Sequence, residues 1–445
     1  MHRTVGANHE GQIIMLKFLK NREIKNAGWI IGERVAQTVL SLIVGVLSAR
    51  YLGPENYGVL NYTGSFVTFF TSIALLGMDG IIIKKMIQNP EDEGGYLGGC
   101  MLLRAISSAV CSVVIVAAVY FLNLGDKTKV VLALLQTIQL LFQSVNILDS
   151  WFQRYLKSKY VSIGKMVAFL AVSAYKIILL ITAQSIEWFA FANSLSSIVM
   201  ALVLFVFYRK SKGPKMRPDT KLGVDVLKDS YHYILSGLMV ALYSQMDKIM
   251  LGKMLSDQAV GLYTTATAIC GMWVFVPTAI INSFRPTILE LRRNGNIEQY
   301  QLRLLQLYSV VIWLCIGVSA VICLLAPVVV WTLYGADYMG AVNTLRIAIW
   351  FETFAMIGTA RGIWILCENK DQYIKYYLSI GVIVNLALNA LLIPVAGIEG
   401  AAIATLVTQI VTSIIGPMFF KATSVHTKIV WEAFCLKWYF DRKRR

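Results

Sequence analysis

Twelve stretches of about 20 mostly apolar residues run through this chain, which is the length that a helix needs to cross a lipid bilayer. Hydrophobic residues make up 57% of the 445 residues and charged residues only 15%, against roughly 25% charged residues in a soluble domain. The sequence therefore predicts an all-α, polytopic membrane protein of about twelve transmembrane helices. The stretches cover approximately residues 27–49, 59–83, 97–123, 130–149, 161–183, 186–208, 230–252, 259–284, 304–326, 341–365, 374–394 and 398–420.

Lysine and arginine are distributed unevenly over the predicted loops. If the N-terminus is cytoplasmic, the loop lysines and arginines all fall on the cytoplasmic side except Arg50, Lys127, Lys129 and Lys253. Cytoplasmic loops of membrane proteins collect basic residues. The distribution predicts that both termini are cytoplasmic. It also accounts for the net charge of +16 without a nucleic-acid partner.

The longest basic loop divides the chain into two sets of six helices. This loop, residues 209–229, contains Gly213, Pro214 and Pro218, which favour a linker over a helix. We predict a cytoplasmic N-terminal segment (1–25), a first lobe (26–208), the linker (209–229), a second lobe (230–420) and a basic cytoplasmic tail (421–445).

Two internal similarities support this division. The segment Ala49–Gly58 (ARYLGPENYG) has a counterpart in Lys253–Gly261 (KMLSDQAVG), with Arg50 near the position of Lys253. The segment Trp151–Tyr160 has a counterpart in Trp364–Tyr373. Because each lobe has an even number of helices, the repeats should be parallel and related about an axis along the membrane normal. A binding site is expected at the interface between them.

Eleven charged side chains fall inside the predicted helices at least four residues from either end. At the bilayer centre each costs at least about 2.5–3.5 kcal/mol. Such residues face a protein interior or a water-filled cavity. The basic ones outnumber the acidic ones, which predicts a cavity that takes a flexible anion such as a phosphate or diphosphate. The eleven are Arg34, Arg104, Lys165, Lys176, Lys248, Arg346, Arg361, Glu33, Asp79, Asp247 and Glu352.

We assign nine of these residues to the transport site. Arg34 begins a polar and small-residue stripe on the first helix, which continues through Thr38, Ser41, Gly45 and Ser48. The predicted anion-binding residues are Arg34, Lys176, Lys248, Arg346 and Arg361. The predicted coupling or gating residues are Glu33, Asp79, Asp247 and Glu352.

Structural roles remain open for several of the charged and polar residues. Arg104 and Lys165 are expected to extend to the inner membrane surface, and Asp79 either does the same or pairs with a cation. Glu33 with Arg34, and Asp247 with Lys248, are alternatively structural ion pairs. Asn385 and Asn389 are expected to join helices rather than to bind a ligand. Gly271 and Pro277 predict a kink in the eighth helix.

Catalytic and metal-binding motifs are absent from the sequence. It contains no nucleophile elbow, P-loop, HExxH motif or catalytic carboxylate pair. The seven cysteines form no CxxC or other metal-ligand spacing. We therefore predict neither an enzyme nor a metal site.

Four stretches carry a resemblance to a known family, namely Ala49–Gly58, Met246–Ile269 (MDKIMLGKMLSDQAVGLYTTATAI), Tyr334–Ile347 (YGADYMGAVNTLRI) and Asn385–Thr405 (NLALNALLIPVAGIEGAAIAT). With them the chain resembles the polysaccharide flippase family of the MATE-like multidrug/oligosaccharidyl-lipid/polysaccharide superfamily, from Asn26 to about Phe420. The resemblance implies two six-helix lobes around a central cavity. It implies transfer of an undecaprenyl-diphosphate-linked oligosaccharide from the cytoplasmic to the periplasmic leaflet of the bacterial inner membrane by alternating access. It also implies no bound cofactor, with a proton or sodium gradient as the candidate driving force.

Three functions are compatible with these features. A flippase for O-antigen, capsule or exopolysaccharide would act as a monomer alongside a polysaccharide polymerase and glycosyltransferases. The alternative is a cation-coupled multidrug exporter of the same fold, which like-charge repulsion in a basic cavity disfavours. A membrane polymerase or acyltransferase is disfavoured because the predicted outer loops are all short.

Overall fold

The computed structural model describes the backbone of residues 6–438 and the side chains of residues 37 and 40–438. Within these residues the regular secondary structure is entirely helical. In chain order the α-helices are α1 Gly6–Ala74, α2 Asp79–Gln88, α3 Glu93–Leu122, α4 Lys127–Gln143, α5 Ile147–Arg154, α6 Ser158–Ile181, α7 Ile186–Lys210, α8 Thr220–Met254, α9 Asp257–Gly271, α10 Phe275–Arg293, α11 Ile297–Tyr334, α12 Val342–Cys367, α13 Ile374–Ile410, α14 Gly416–Met418 and α15 Ser424–Phe434.

The helices account for twelve membrane crossings. Nine helical stretches of the described chain are long and apolar enough to cross a membrane. Two of them, Leu40–Gln88 and Asp371–Met418, hold two crossings each, because Gly53 and Gly397 break their backbone with φ values of 72° and 59°. Helix α12 supplies the twelfth, although its internal charges lower its mean hydropathy. The predicted fold class is confirmed.

The second crossing is interrupted, which the sequence analysis did not anticipate. Leu76 and Gly77 adopt positive φ values of 55° and 58°, so α1 ends at Ala74 and the chain restarts as α2 at Asp79. The predicted kink in the eighth crossing is confirmed, because α9 ends at Gly271 and α10 begins at Phe275. Both irregularities lie inside predicted apolar segments.

The linker is shorter than the predicted residues 209–229. Helix α7 continues to Lys210, and α8 already begins at Thr220. The Asp219 carboxylate accepts hydrogen bonds from the backbone amides of Lys221 (2.9 Å) and Leu222 (3.2 Å), which is a helix N-cap. The helical residues 220–229 are therefore part of α8 and not of the linker.

The two lobes meet at a crossing built from the repeated segment, on the face of the molecule opposite the linker. A Cβ atom at Gly58 would overlap the carbonyl oxygen of Asp257, and a Cβ atom at Gly261 would overlap that of Pro54. The repeat aligns Pro54 with Asp257 and Gly58 with Gly261, so the contact is reciprocal, as a twofold relation between repeats requires. We call these four residues the glycine crossing.

At the same face, each lobe contributes one basic side chain that donates hydrogen bonds to a helix end of the other lobe. Arg50 of the first lobe donates to the carbonyls of Thr332 and Leu333 at the end of α11, at 2.6 Å for Leu333. Lys253 of the second lobe donates to the carbonyl of Leu122 at the end of α3, at 2.7 Å. Helix C-termini carry partial negative charge, so each cation stabilises the last turn of a helix in the other lobe.

An ion pair completes the closure of this face. Lys129 Nζ lies 2.9 Å from Asp257 Oδ2, and both side chains are largely buried. We call the glycine crossing, the two helix caps and this ion pair together the opposite-face seal.

The lobes also touch at the face that carries the linker, which we call the basic face. Lys85 Nζ lies 2.7 Å from Asp225 and 3.0 Å from Asp229, both on α8. The Arg217 amide donates to the carbonyl of Gly94 at 2.8 Å, and the linker backbone packs directly on α3 at Gly98. The lobes therefore meet at both ends of the molecule.

The second internal similarity has the same structure in both lobes. Lys157 Nζ lies 5.5 Å from the centre of the Trp151 ring, and Lys370 Nζ lies 4.8 Å from that of Trp364. Both pairs are cation–π contacts at the basic face.

Candidate functional site: a polar cavity and a buried carboxylate

A cavity of about 300 Å³ lies between the first lobe and α8. Gly45 and Ser48, from the predicted stripe of the first helix, form part of its wall. Half of the remaining lining residues carry amide or aliphatic hydroxyl groups from α1, α4, α7 and α8, namely Asn61, Ser65, Thr68, Gln139, Asn193 and Gln245. The wall therefore offers many neutral hydrogen-bond donors and acceptors to a polar guest.

Two lysines face this cavity from different lobes. Lys176 comes from α6 in the first lobe and Lys248 from α8 in the second, and none of the described residues that line the cavity is acidic. Among the described side chains neither lysine forms an ion pair. Two unpaired cations in a confined space favour an anionic guest, because an anion relieves their mutual repulsion. Both residues were predicted to bind an anion, and the structure brings them to one cavity.

Asp247 precedes Lys248 in the sequence but lies inside the second lobe, where it is 4% exposed. Its Oδ1 accepts hydrogen bonds from Asn385 Nδ2 (3.2 Å) and Asn389 Nδ2 (2.6 Å) of α13. Its Oδ2 accepts from the hydroxyls of Tyr263 (2.6 Å) and Thr405 (2.5 Å). Four neutral donors from α9 and both halves of α13 therefore satisfy one buried carboxylate, and we call these five residues the Asp247 cluster.

The donor set of the Asp247 cluster fits a small hard cation or a proton. The Oδ1 atoms of Asn385 and Asn389 are buried and have no hydrogen-bond partner in the described structure. An unpartnered buried amide oxygen costs free energy unless a donor or a cation reaches it. Carboxylate, amide and hydroxyl oxygens are the ligands that hard cations prefer.

The proposed structural ion pair between Asp247 and Lys248 is wrong. Among the described residues no ion pair joins them, and Lys248 lines the cavity while the Asp247 carboxylate is held inside the second lobe. Consecutive helical residues point about 100° apart, so one turn of α8 faces both environments.

Arg361 and Arg346 are not among the residues that line this cavity. Arg361 is buried in the second lobe, where its guanidinium donates to the Thr412 carbonyl at 2.5 Å and lies over the Tyr377 ring at 4.6 Å. Thr412 belongs to a π-helical turn after α13, whose altered pairing frees backbone carbonyls. Arg346 is exposed, with its guanidinium 3.4 Å from the Asn343 side chain. Their role in anion binding stays a prediction.

The buried Arg361 affects a histidine outside the membrane-spanning helices. Burial, and then the nearby Arg361 charge, lower the pKa of His426 on α15 to about 3. The neutral imidazole shares a 2.9 Å hydrogen bond with the Tyr308 hydroxyl. This contact attaches α15 to α11.

The remaining charged residues are dispersed. Arg104 does not extend to the membrane surface as expected, because it is fully buried and pairs with Asp79 at 2.9 Å. The carboxylate of Glu352 is half-buried in the second lobe, within electrostatic range of Tyr243 and Cys270. The side chains of Glu33 and Arg34 lie outside the described residues.

Sequence reasoning missed two members of the Asp247 cluster, Tyr263 and Thr405. The prediction that Asn385 and Asn389 join helices is confirmed, because both donate from α13 to Asp247 on α8. The spacing of the two asparagines by one helical turn was the available signal, since it places two amides on one face of an apolar helix. Nothing in the sequence indicated that this face meets Asp247.

A bundle of twelve membrane-crossing helices in two parallel lobes, with a polar cavity between them, defines a multi-pass membrane transporter. The chain belongs to the polysaccharide biosynthesis protein family, whose model matches residues 24–291. This assignment confirms the predicted family, and the relatives described next are flippases, which agrees with the prediction that the chain is not an enzyme.

Two relatives named as flippases share modest sequence identity with this chain. The probable flippase AglR of Haloferax volcanii is 24% identical over 397 residues, which is 86% of this chain and 80% of that protein. The lipid II flippase MurJ of Bacillus subtilis is 23% identical over 260 residues, which is 53% of this chain and 48% of that protein.

Solved structures share the fold at lower identity. The inward closed conformation of the lipid II flippase MurJ matches 91% of this chain and 91% of its own, with a TM-score of 0.71 and 14% identity. An inward-facing MATE family multidrug transporter matches 88% of this chain and 95% of its own, with a TM-score of 0.68 and 15% identity. The MATE-like fold predicted from the resemblance is confirmed.

Proposed function

We propose that this protein moves an undecaprenyl-diphosphate-linked oligosaccharide from the cytoplasmic to the periplasmic leaflet of the bacterial inner membrane, for assembly of a surface polysaccharide. The observation that carries the proposal is the cavity with Lys176 on one lobe, Lys248 on the other and no carboxylate among the described residues of its wall. A diphosphate matches the two ammonium groups in charge. The amide and hydroxyl wall matches sugar hydroxyls, which donate and accept hydrogen bonds.

The position of the two lysines connects substrate binding with movement of the lobes. A diphosphate that contacts both ammonium groups bridges α6 and α8, and its charge offsets the repulsion between them. The loaded lobes can then approach each other, and alternating access exposes the cavity at one face at a time. The basic face is cytoplasmic in this proposal, with both termini on that side, because Lys and Arg accumulate there.

The Asp247 cluster is the proposed coupling site for a proton or a sodium ion. Its five oxygen-bearing side chains come from α8, α9 and both halves of α13, so a change in occupancy acts on all three helices. A cation there neutralises the buried carboxylate and supplies a partner for the unsatisfied amide oxygens of Asn385 and Asn389. Because Lys248 is the next residue, coupling and substrate binding meet on one turn of α8.

Deletion of the gene tests the proposed substrate. Lipid-linked repeat units should accumulate on the cytoplasmic leaflet, and surface polysaccharide should be lost. Normal surface polysaccharide combined with loss of cationic dye efflux would instead establish the multidrug exporter.

Charge-neutral variants of the two cavity lysines test the site. Lys176→Gln and Lys248→Gln each remove one charge-assisted contact, worth about 1.5–3 kcal/mol, so transport at low substrate should fall about ten- to hundredfold. Lys228→Gln is the matched control, since Lys228 is an exposed lysine on the same helix as Lys248 and is not part of the cavity wall. Full transport by both cavity variants at normal protein levels would remove the lysines from the site.

A further inference from the structure

A second cavity, of about 560 Å³, lies at the basic face of the second lobe beneath α15. The ends of α10 and α12, the start of α11 and α15 itself form its walls. It is separate from the cavity between the lobes and shares no residue with it. The transport mechanism proposed above makes no use of it.

The charges of this cavity suit a phosphate group. Among the described residues, four basic side chains line it, and the two acidic side chains are already engaged. Glu368 accepts from Arg292 (3.1 Å) and from the Tyr300 hydroxyl (3.0 Å), and Glu432 pairs with Lys437 (2.8 Å). Lys428 is exposed on α15 and forms no ion pair in the described structure. Two positive charges therefore remain in excess.

The rest of the cavity and the outer surface of α15 suit a lipid. Leu304, Leu305 and Ile429 give the cavity an apolar wall beside its basic residues. Away from the cavity α15 exposes Trp431 (67%), while His426, Val430 and Ala433 are buried against the lobe. Tryptophan is enriched at the boundary between headgroups and acyl chains.

Helix α15 is held firmly against the transport lobe. Ser309 Oγ donates to the Ala433 carbonyl at 2.8 Å, and Trp313 Nε1 donates to the Phe434 carbonyl at 3.2 Å. With the bond between His426 and Tyr308, these contacts fix α15 along α11. The cavity between α15 and the ends of the crossings therefore has walls that are fixed by hydrogen bonds.

We propose that the cavity beneath α15 binds the headgroup phosphate of an acidic phospholipid from the adjacent leaflet, with α15 lying in the membrane interface. The basic side chains contact the phosphate, and the acyl chains leave along the apolar wall. Basic pockets between transmembrane helices on the cytoplasmic side bind acidic headgroups in this way. Together with the proposed function, this site makes the second lobe sensitive to the lipid composition of the leaflet from which the substrate is taken.

Native mass spectrometry of the full-length protein in detergent tests this site with phosphatidylglycerol as the probe. We expect saturable binding of one phosphatidylglycerol and no comparable binding of phosphatidylcholine. Lys428→Gln should weaken retention about fivefold, the effect of one lysine near a headgroup. Lys370→Gln should weaken it as well, although Lys370 also donates to the Ala422 carbonyl, so Lys428→Gln is the cleaner variant.

The internal repeat provides a matched control. Lys157 lies over Trp151 as Lys370 lies over Trp364, but α15 and its cavity belong to the second lobe alone. Lys157→Gln should therefore retain phosphatidylglycerol like the unmodified protein. Equal retention of phosphatidylcholine, equal weakening by Lys157→Gln, or no effect of Lys428→Gln would overturn the proposal. Displacement of the bound lipid by an equimolar polyprenyl diphosphate would also overturn it, because the cavity would then be a substrate site.

Discussion

Asp247 and Lys248 are consecutive residues of α8, but their side chains lie in different environments. The carboxylate is buried among four neutral donors, and the ammonium lines the cavity between the lobes. A buried charge without a counter-ion is costly unless hydrogen bonds stabilise it. The residues that do so come from two other helices, so this turn of α8 fixes how α9 and α13 pack.

Asp247→Asn separates the coupling role of the carboxylate from its packing role. The amide oxygen can still accept from Asn385 and Asn389, and the hydroxyls of Tyr263 and Thr405 can rotate to accept from its NH₂ group. The variant should fold with nearly unchanged thermal stability, but a neutral amide takes up no proton and lacks the negative charge that offsets a bound sodium ion. We expect transport in proteoliposomes to lose its dependence on the cation gradient.

Asp247→Ala is the contrasting variant. It leaves four buried donors unsatisfied, each costing about 1–3 kcal/mol, and should lower the melting temperature strongly. Gradient-driven transport by Asp247→Asn at the unmodified rate would exclude the cluster as the coupling site.

At the scale of elements, the glycine crossing explains why the segments Ala49–Gly58 and Lys253–Gly261 resemble each other. Each segment turns between two crossings and then begins a helix that packs on its own counterpart. Backbones approach this closely only where side chains are absent, so Gly58 and Gly261 are required by contact and not by backbone conformation. The same segments place Arg50 and Lys253 beside helix ends of the other lobe.

Alanine at the glycine crossing should open the opposite face. A Cβ at Gly58 or Gly261 overlaps a carbonyl of the other lobe, and overpacking costs about 1–3 kcal/mol. This cost applies only while the opposite face is closed, so Gly58→Ala and Gly261→Ala should shift the equilibrium towards opening there and slow transport. The twofold relation predicts similar effects for the two variants, measured as transport rate.

Gly317→Ala on α11 is the control for these variants. A Cβ at Gly317 meets no atom within 4 Å, so the substitution should be neutral. A loss of transport in Gly317→Ala equal to that of the crossing variants would attribute the effect to helix composition and not to the contact.

At the scale of the whole molecule, the lobes contact each other at both faces. The opposite-face seal includes the ion pair between Lys129 and Asp257, and the basic face is held by Lys85 with Asp225 and Asp229. A transporter that alternates between faces must break these sets in turn. Their relative strengths therefore set the balance between the two open states.

Replacing the lysine of either ion pair with glutamine should shift the equilibrium between the two open states, in opposite directions for the two faces. Breaking a partly buried pair costs between the roughly 1 kcal/mol of an exposed pair and the 3–5 kcal/mol of a buried one, so the shift should be about tenfold or more. Lys129→Gln should speed labelling of a cavity cysteine at Asn193 by an impermeant thiol reagent from the opposite face. Lys85→Gln should speed labelling from the basic face.

The native cysteines are replaced in this experiment, and Lys228→Gln again serves as the control. Acceleration from the same face in both variants would contradict two separate closures.

The sequence by itself determined the fold class, the division into lobes and the repeat between them. These depend on runs of apolar residues as long as the bilayer is thick, on unequal loop charge and on local similarity, all of which are readable along the chain. It also indicated that charges inside apolar helices face the protein, because lipid does not stabilise them. That argument identified Lys176, Lys248 and Asp247 as residues of interest.

Only the tertiary structure decided which of these residues share an environment. Arg361 carries the same charge as Lys248, but it binds carbonyls of the π-helical turn, whereas Lys248 lines the cavity. The partners of Asp247 lie 16 to 158 residues away along the chain. Helix rotation and the kinks at Gly53, Gly271 and Gly397 orient these side chains, and packing between distant helices sets that rotation. Hydrophobic patterning fixes that a helix crosses the membrane, but the direction of each polar side chain follows from contacts that only the folded chain contains.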